Sequence, residues 1–310
     1  MTAPLLDVQA LGKRFGGVVA ARGVSFTLSP GEMLAMIGPN GAGKSTTFNM
    51  VGGQLRPDEG RVTLAGRDVT GMPPRQVWRL GVGRTFQVAQ TFLSMTVAEN
   101  VEMARISHHR RTRDAWSPAR DLYRDDALAL LDRVGMRDAA DRPMAELSYG
   151  DVKRVELAIA LAAAPKLLLM DEPTAGMAPR ERSALMALTA TIAREGGIGV
   201  LFTEHDMDAV FAHADRILVL VRGEIIARGT PEAVRADPEV RRVYLGAHGA
   251  EIAARVGGAR AGGSGAATAR PGAAADAATG PGAATGSDAA AGAAIRESGD
   301  AAAGAGGARG

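Results

Sequence analysis

A nine-residue run in the first sixth of the chain limits the folds available to it. Residues 38–46 read Gly-Pro-Asn-Gly-Ala-Gly-Lys-Ser-Thr, with an apolar strand predicted before them and a helix predicted after them. Glycines in such a run let backbone N–H groups turn toward a phosphate, and the N-terminus of the following helix adds a positive end. We therefore predict a nucleotide-binding loop in an α/β fold. Its residues are Gly38, Pro39, Asn40, Gly41, Ala42, Gly43, Lys44, Ser45 and Thr46.

Lys44 and Ser45 stand where this loop becomes a helix. In a loop of this spacing the lysine would contact the β- and γ-phosphates of a nucleotide, and the serine hydroxyl would bind Mg²⁺. A glycine-rich turn that matches by chance is the alternative interpretation. Kinases and GTPases share the same loop, so it predicts nucleotide binding without fixing the nucleotide or its use.

Two acids end an apolar segment near the middle of the chain. Residues 167–170 read Leu-Leu-Leu-Met, and Asp171 and Glu172 follow them. A buried strand here would place Asp171 beside the glycine loop, where a carboxylate holds the Mg²⁺ shell, and Glu172 would reach a water in line with the γ-phosphate. Without the glycine loop, an ordinary core strand followed by a solvated acidic turn would be an equal interpretation.

Two further polar residues depend on the order of the motifs. His205 follows a strand predicted over residues 198–203 and precedes a helix capped near Asp206. Its imidazole would donate to the γ-phosphate and hold the attacking water with Glu172, although a lone histidine at a strand end is more often a surface residue. Gln87, whose amide would touch Mg²⁺ or the water, carries no signal of its own.

A short turn opens another predicted helix. Ser148, Tyr149 and Gly150 begin a helix that runs toward residue 165. Serine is a good N-cap and glycine permits close backbone approach, so the turn needs no function beyond starting the helix. The same turn would also serve as an anion site for a phosphate delivered by another subunit.

Composition narrows the function classes. The 310 residues carry a formal net charge of +2, which gives no bias toward polyanions, and we expect no nucleic-acid partner. The absence of cysteine excludes disulfides and thiolate metal sites and fits a reducing cytosol. The first nine residues lack the pattern of a secretory signal, and the apolar runs are too short to cross a bilayer. We therefore expect a soluble chain.

The order of predicted elements divides the chain. From residue 166 onward strands and helices alternate, which is typical of a parallel sheet covered by helices. Short strands before residue 65 predict a small antiparallel β subdomain. A helical subdomain is predicted over roughly residues 88–165, with a surface insertion at 105–124. Residues 247–310 are Ala- and Gly-rich without aromatic side chains, so we predict a disordered tail after a domain at 1–246.

Taken in order, these motifs make the chain resemble the ATP-binding cassette (ABC) ATPases, which are P-loop NTPases, over residues 5–246. The resemblance implies that ATP and Mg²⁺ are bound, that Glu172 and His205 are catalytic, and that Ser45, Gln87 and Asp171 hold the metal. It also implies that Phe15 stacks on adenine, although a core phenylalanine is the competing interpretation. The matching segments are residues 38–46, Gln87, residues 147–151, residues 167–171, Glu172 and His205.

Within that family the chain is most similar to the ATPases of branched-chain amino-acid uptake. The similarity rests on residues 84–87, 105–124, 172–177 and 237–246. It implies two permease subunits, a second cassette in a homo- or heterodimer, an extracytoplasmic substrate-binding protein, and a position on the cytoplasmic face of the membrane. A lipopolysaccharide-export ATPase, a non-transport cassette and a lone P-loop kinase are the alternatives.

Three positions depart from the family pattern. Tyr149 stands where the signature usually has glycine, and Asp151 stands where glutamine or glutamate is common. A carboxylate at position 151 would repel the γ-phosphate and slow closure of a dimer, unless Lys153 and Arg154 offset it. Ala178 replaces the usual aspartate or asparagine, which predicts impaired hydrolysis at one of two sites.

Overall fold

The structure, a computed structural model, describes residues 3–85, 91–108 and 123–244. Gln87, most of the insertion predicted at 105–124 and the tail predicted from 247 lie outside the described residues. Within the described ranges, no helix is long and apolar enough to cross a membrane.

A four-stranded antiparallel sheet comes from the first part of the chain. Its strand order is β2-β1-β4-β5, and β1 pairs with both β2 and β4. Both long strands exceed the short strands predicted for them, because register shifts let the pairing continue through Ala10 and Gly12. The strands are β1 (Leu6–Phe15), β2 (Val18–Leu28), β4 (Glu59–Leu64) and β5 (Arg67–Asp68).

A six-stranded mixed sheet forms the centre of the domain. Its order is β10-β9-β3-β8-β7-β6; β10 runs antiparallel to β9, and the other pairings are parallel. All five residues of β3 and of β8 are buried, as expected for parallel strands covered on both faces. The strands are β3 (Met33–Ile37), β6 (Val82–Thr85), β7 (Leu167–Asp171), β8 (Gly199–Thr203), β9 (Arg216–Val221) and β10 (Glu224–Gly229).

Alternate residues of the central strands enter two separate cores. Leu34 and Met36 pack with the antiparallel sheet, whereas Met33, Ala35 and Ile37 pack with the helices on the other face. This period of two follows from the pleat of a strand. The described helices are α1 (Lys44–Val51), α2 (Pro74–Arg79), α3 (Val97–His108), α4 (Arg124–Arg133), α5 (Tyr149–Leu161), α6 (Pro179–Gly196), α7 (Met207–His213), α8 (Pro231–Ala236) and α9 (Pro238–Tyr244).

The predicted fold class is confirmed: the fold is α/β, with a mixed core sheet, a separate antiparallel sheet and helices α3 to α5 between β6 and β7. The strand β6 and the helices α2 and α9 were not predicted. The carboxyl ends of β3, β7 and β8 lie at one edge of the sheet, because these strands are parallel neighbours in the order β3-β8-β7. The predicted nucleotide and carboxylate residues follow these ends.

Candidate nucleotide-binding and hydrolysis site

The glycine loop leaves β3 and ends where α1 begins at Lys44. Gly43 caps the helix with φ of 98° and ψ of 7°, a left-handed conformation that L side chains rarely adopt. A Cβ at Gly43 would lie 2.2 Å from the carbonyl oxygen of Ala20, and a Cβ at Gly38 would lie 2.2 Å from that of Leu220. Backbone from β2 and β9 therefore presses against the loop at two positions where only glycine fits.

Lys44 is held across this loop. Its side chain is buried, and Nζ donates to the carbonyl oxygens of Gly38 at 2.7 Å and Pro39 at 3.2 Å. Burial lowers the pKa of Lys44, while the nearby carboxylates of Glu172 and Asp171 oppose that change. The loop thus holds a desolvated ammonium group where the β- and γ-phosphates are predicted to lie.

Ser45 is exposed on the first turn of α1, and Thr46 is half-buried beside it. Pro39, Asn40 and Gly41 are likewise exposed, so the face of the loop is open to a ligand. A hydroxyl oxygen at Ser45 is the kind of donor that Mg²⁺ prefers.

Asp171 ends β7 and is held by two neighbours. Thr203 on β8 donates its hydroxyl hydrogen to Oδ1 of Asp171 at 2.7 Å, and the Nη2 atom of Arg84 lies 3.8 Å from Oδ2. Arg84 also donates to Oδ1 of Asn49 at 2.9 Å, and its guanidinium lies 5.1 Å from the centre of the Phe48 ring. Burial lowers the pKa of Arg84, and the Asp171 charge opposes this.

Glu172 follows Asp171 in a strained conformation. Its φ is 47°, uncommon for a residue with a side chain. The parallel register that pairs Asp171 with Thr203 brings the Glu172 N–H to the carbonyl oxygen and the hydroxyl oxygen of Thr203, at 3.2 and 3.1 Å. Strain of this kind persists only where neighbouring bonds over-determine the geometry, and it is common at functional sites.

Glu172 and His205 meet directly. The Nε2 atom of His205 lies 2.7 Å from Oε1 of Glu172, and the His205 side chain is 49 % exposed. The structure therefore joins the predicted catalytic carboxylate to the predicted imidazole, close to Lys44 and Asp171. His205 is thus an exposed residue bonded to the predicted catalytic carboxylate, and its catalytic role stays a prediction.

Glu204 was not singled out from the sequence, although it is one of the most buried acids. It is 4 % exposed, and its Oε1 accepts both the N–H of Thr174 at 3.0 Å and the hydroxyl of Thr174 at 2.7 Å. These bonds tie the loop after Glu172 to the residue that precedes His205. Arg182 and Asp206 form an ion pair, and both line a cavity of about 310 Å³ together with Glu172 and His205.

The turn before α5 has the cap expected of a helix start. The hydroxyl oxygen of Ser148 accepts the N–H of Asp151 at 3.2 Å, and the hydroxyl donates to Oδ2 of Asp151 at 2.8 Å. Tyr149 is 47 % exposed, and its hydroxyl donates to the carbonyl oxygen of Ala175 at 3.1 Å. A Cβ at Gly150 would meet the Glu181 carboxylate at 3.2 Å. The turn therefore touches the loop that follows Glu172 in its own chain.

Phe15 lies at the end of β1 and is 50 % exposed. The ammonium group of Lys13 is 5.7 Å from its ring centre, and Asp58 binds that ammonium at 2.7 Å. The core-phenylalanine alternative is therefore wrong, and the ring presents a face to solvent. Gln87 lies outside the described residues, so its predicted role stays a prediction.

The metal donors are few. In residues 3–85, 91–108 and 123–244 no cluster of three or more His, Cys, Asp or Glu side chains has the arrangement of a metal site. This donor set fits Mg²⁺ in a nucleotide site, since that ion is bound by one or two carboxylates together with substrate phosphates and water. Ser45 and Asp171 would supply the oxygens from the described chain.

Two family profiles match the sequence. The ABC transporter profile matches residues 21–175, and the profile of the branched-chain amino acid ATP-binding cassette transporter matches residues 224–250. Curated relatives include LivG of Salmonella typhimurium, a high-affinity branched-chain amino acid transport ATP-binding protein, which is 40 % identical over 79 % of this chain and 99 % of its own length. BraF of Pseudomonas aeruginosa, with the same description, is 38 % identical over 79 % and 99 %.

Solved structures agree. The ADP conformation of MJ1267, an ATP-binding cassette of an ABC transporter, has a TM-score of 0.72 and 34 % identity over 79 % of this chain and 100 % of that one. The dimeric post-hydrolysis structure of the cassette MJ0796 with ADP and phosphate has a TM-score of 0.62 and 26 % identity, over 73 % and 98 %. These matches confirm the predicted resemblance. The chain belongs to the ATP-binding cassette ATPases of ABC transporters, and it carries the C-terminal segment of their branched-chain amino acid group.

Proposed function

We propose that this chain is the ATP-hydrolysing subunit of an importer for branched-chain amino acids or related small organic solutes. The observation that carries the hydrolytic part is the 2.7 Å contact between Glu172 and His205 beside the loop that holds Lys44. The transport part is supported by relatives of 38–40 % identity that are named for branched-chain amino acid transport.

ATP would bind with its phosphates in the loop at residues 38–46 and its adenine on the exposed face of Phe15. Lys44 would exchange its bonds to the carbonyls of Gly38 and Pro39 for bonds to phosphate oxygens. Glu172 would then take a proton from the attacking water as the water oxygen bonds to the γ-phosphorus and the bond to the bridging oxygen breaks. His205, already bonded to Glu172, would hold the water and the γ-phosphate.

Ser45, Asp171 and Gln87 would hold Mg²⁺ beside the nucleotide phosphates. When bound there, the ion supplies positive charge that neutralises the phosphate oxygens. Thr203 orients the Asp171 carboxylate for this role by donating to Oδ1. Arg84, 3.8 Å from the other oxygen, would balance the charge of Asp171 in the free subunit.

A second cassette would complete each site with its Ser148, Tyr149 and Gly150. The solved relatives include a dimer, and ABC cassettes act as pairs with permease subunits. Phe92 and Leu93, 56 % and 60 % exposed, follow the Gln87 segment directly and offer an apolar surface for a permease helix. We infer two permeases, a substrate-binding protein outside the membrane, and a peripheral position on its cytoplasmic face.

The experiment that tests this function uses Glu172→Gln. We expect the variant to bind ATP, to hydrolyse it at least about 100-fold more slowly, and to form an ATP-stabilised dimer with a second copy or with its natural partner cassette. Size-exclusion chromatography with and without ATP measures the dimer. Lys44→Ala in the same background is the matched control and should form no ATP-stabilised dimer.

Failure of Glu172→Gln to dimerise with ATP, either alone or with the partner cassette, contradicts the paired-cassette mechanism.

The importer assignment has its own test in vesicles that contain the permeases and the binding protein. There, leucine should stimulate ATP hydrolysis and accumulate inside the vesicle at the expense of ATP. Stimulation by a lipopolysaccharide and not by any amino acid would favour the export alternative.

A further inference from the structure

The hydroxyl of Tyr149 makes a hydrogen bond that glycine, the usual residue at this position, cannot make. It donates to the carbonyl oxygen of Ala175 at 3.1 Å. A Cβ at Gly176 would lie 3.6 Å from the Tyr149 ring, so the ring also lies against the backbone of that loop. The residue usual at this position, glycine, has no side chain to reach this loop.

The loop that Tyr149 contacts carries the catalytic carboxylate. The N–H of Ala175 donates to the carbonyl oxygen of Glu172 at 3.2 Å, which closes a turn over residues 172–175. Within the same turn Thr174 binds the buried Glu204, and Glu204 precedes the His205 that contacts Glu172. A continuous set of bonds thus runs from the start of α5 to the Glu172–His205 pair.

The first turn of α5 is braced by contacts within the helix, so the Tyr149 side chain moves together with that turn. Lys153, one turn along the helix, is buried and pairs with Glu156 at 2.8 Å, and its ammonium lies 5.5 Å from the centre of the Tyr149 ring. Ser148 caps the same turn. The exposed half of Tyr149 faces solvent on the surface that a second subunit would cover.

We propose that Tyr149 is a positioning residue that couples the turn before α5 to Glu172 of its own subunit. This inference rests on the proposed function, because docking of that turn on a neighbour's nucleotide is what would move it. When the turn docks, the Tyr149–Ala175 bond fixes residues 172–175 and so aligns Glu172 for the water in its own site. One bond therefore makes each site sensitive to the occupancy of the other.

The test is a mixed dimer in which one copy carries Glu172→Gln, so that hydrolysis occurs only at the other copy's Glu172. Tyr149→Phe removes the hydroxyl and keeps the ring. Placed in the copy with intact Glu172, it should lower kcat about three- to ten-fold, which corresponds to the loss of one neutral hydrogen bond, with the KM for ATP unchanged. Placed in the Glu172→Gln copy, where it removes the hydroxyl only from the turn that docks on the active nucleotide, it should lower kcat by a clearly smaller factor.

If the loss appears instead with Tyr149→Phe in the Glu172→Gln copy, Tyr149 acts only on the neighbour's nucleotide and the inference is overturned. Equal rates in both arrangements overturn it as well. Absence of the ATP-stabilised dimer while Tyr149 is intact overturns the proposed function instead. Where the natural partner is a different cassette, the glutamate of that partner is replaced in turn.

A second readout needs no nucleotide. In the free subunit, amide hydrogen exchange of residues 174–177 should be faster in Tyr149→Phe than in the parent, because the bond to Ala175 is lost. Tyr123→Phe is the matched control, since the ring of Tyr123 lies 5.8 Å from the guanidinium of Arg105 and far along the chain from this loop. Unchanged exchange in Tyr149→Phe means that the bond does not hold the loop.

Discussion

Two turns of small residues each open a helix in this chain, and they are built differently. The loop before α1 is pressed by backbone from β2 and β9, and its Lys44 is buried. The turn before α5 is capped by Ser148 and exposes Tyr149 to solvent. A single subunit therefore shapes the first turn fully, whereas the second turn leaves Tyr149 exposed on a surface that a neighbouring molecule could cover.

The difference shows why the two turns require different arguments. In the first loop, backbone of the same chain leaves no room for a side chain at Gly43, so the fold itself explains why glycine stands there. The turn at residues 148–150 is explained as a helix cap without any ligand, and only its exposure and its bond to Ala175 suggest more. Its anion-binding role depends on a partner and has to be tested with one.

The largest effect is expected for Gly43→Ala. Its Cβ would lie 2.2 Å from the carbonyl oxygen of Ala20 at a φ of 98°, so the loop must move. We expect ATP binding by the single subunit to weaken roughly 100-fold or more, because the backbone N–H groups of the loop no longer point at the phosphates. The free energy of unfolding should fall by about 1–3 kcal/mol. ATP titration and urea denaturation measure the two changes.

Gly150→Ala is the matched substitution in the other turn. The atoms nearest to its Cβ would be those of the flexible Glu181 carboxylate, the closest at 3.2 Å, and alanine is the better helix former by about 1 kcal/mol. Stability and ATP binding by the single subunit should therefore be preserved, while the ATP-stabilised dimer weakens. A loss of subunit ATP affinity as large as that of Gly43→Ala would remove the distinction between the two turns.

Phe15→Ala sharpens the comparison at the adenine end. Stacking of a base on an aromatic ring contributes about 1–3 kcal/mol, so ATP binding by the single subunit should weaken about ten-fold, while binding of inorganic triphosphate is unchanged. Fluorescence titration with both ligands separates the base from the phosphates. Phe92→Ala, which also removes an exposed ring, should leave both affinities as they were. Equal weakening for both ligands would show that Phe15 supports the loop rather than the base.

The sequence predicted those parts of the site whose signal is local. Glycine spacing identified the loop at residues 38–46, and the acids after an apolar run identified Asp171 and Glu172. The strand β6 was missed because Gly83 and Arg84 have little strand character. Gly83 is needed there because a Cβ would lie 2.9 Å from the carbonyl oxygen of Ala160 on α5. Contacts between distant elements decide such positions.

The supporting bonds were also invisible in the sequence. Thr203 reaches Asp171 only through the pairing of β7 with β8, and Glu204 meets Thr174 across thirty positions of chain. An acid that follows an apolar run and directly precedes His205 was the available signal for Glu204, and it does not indicate which donor the acid accepts from. Tertiary register supplies that information.

Asp151→Asn gives the smallest expected effect and the most specific one. In the free subunit the Ser148 hydroxyl donates to the Asp151 carboxylate at 2.8 Å, so a neighbour's γ-phosphate has to compete for that hydrogen against a charged acceptor. Asparagine accepts more weakly and removes the repulsion, so we expect the dimer to form at about three-fold lower ATP in the Glu172→Gln background, while ATP binding by the single subunit is unchanged. The same change removes a favourable charge from the first turn of α5, so stability should fall by about 0.3–1 kcal/mol. Because exposed charges are screened, the gain in dimerisation should shrink in about 1 M salt.

A variant that needs more ATP than the parent at low salt would mean that Asp151 helps the turn bind its anion, and the second turn would then be a more complete site than the free subunit suggests.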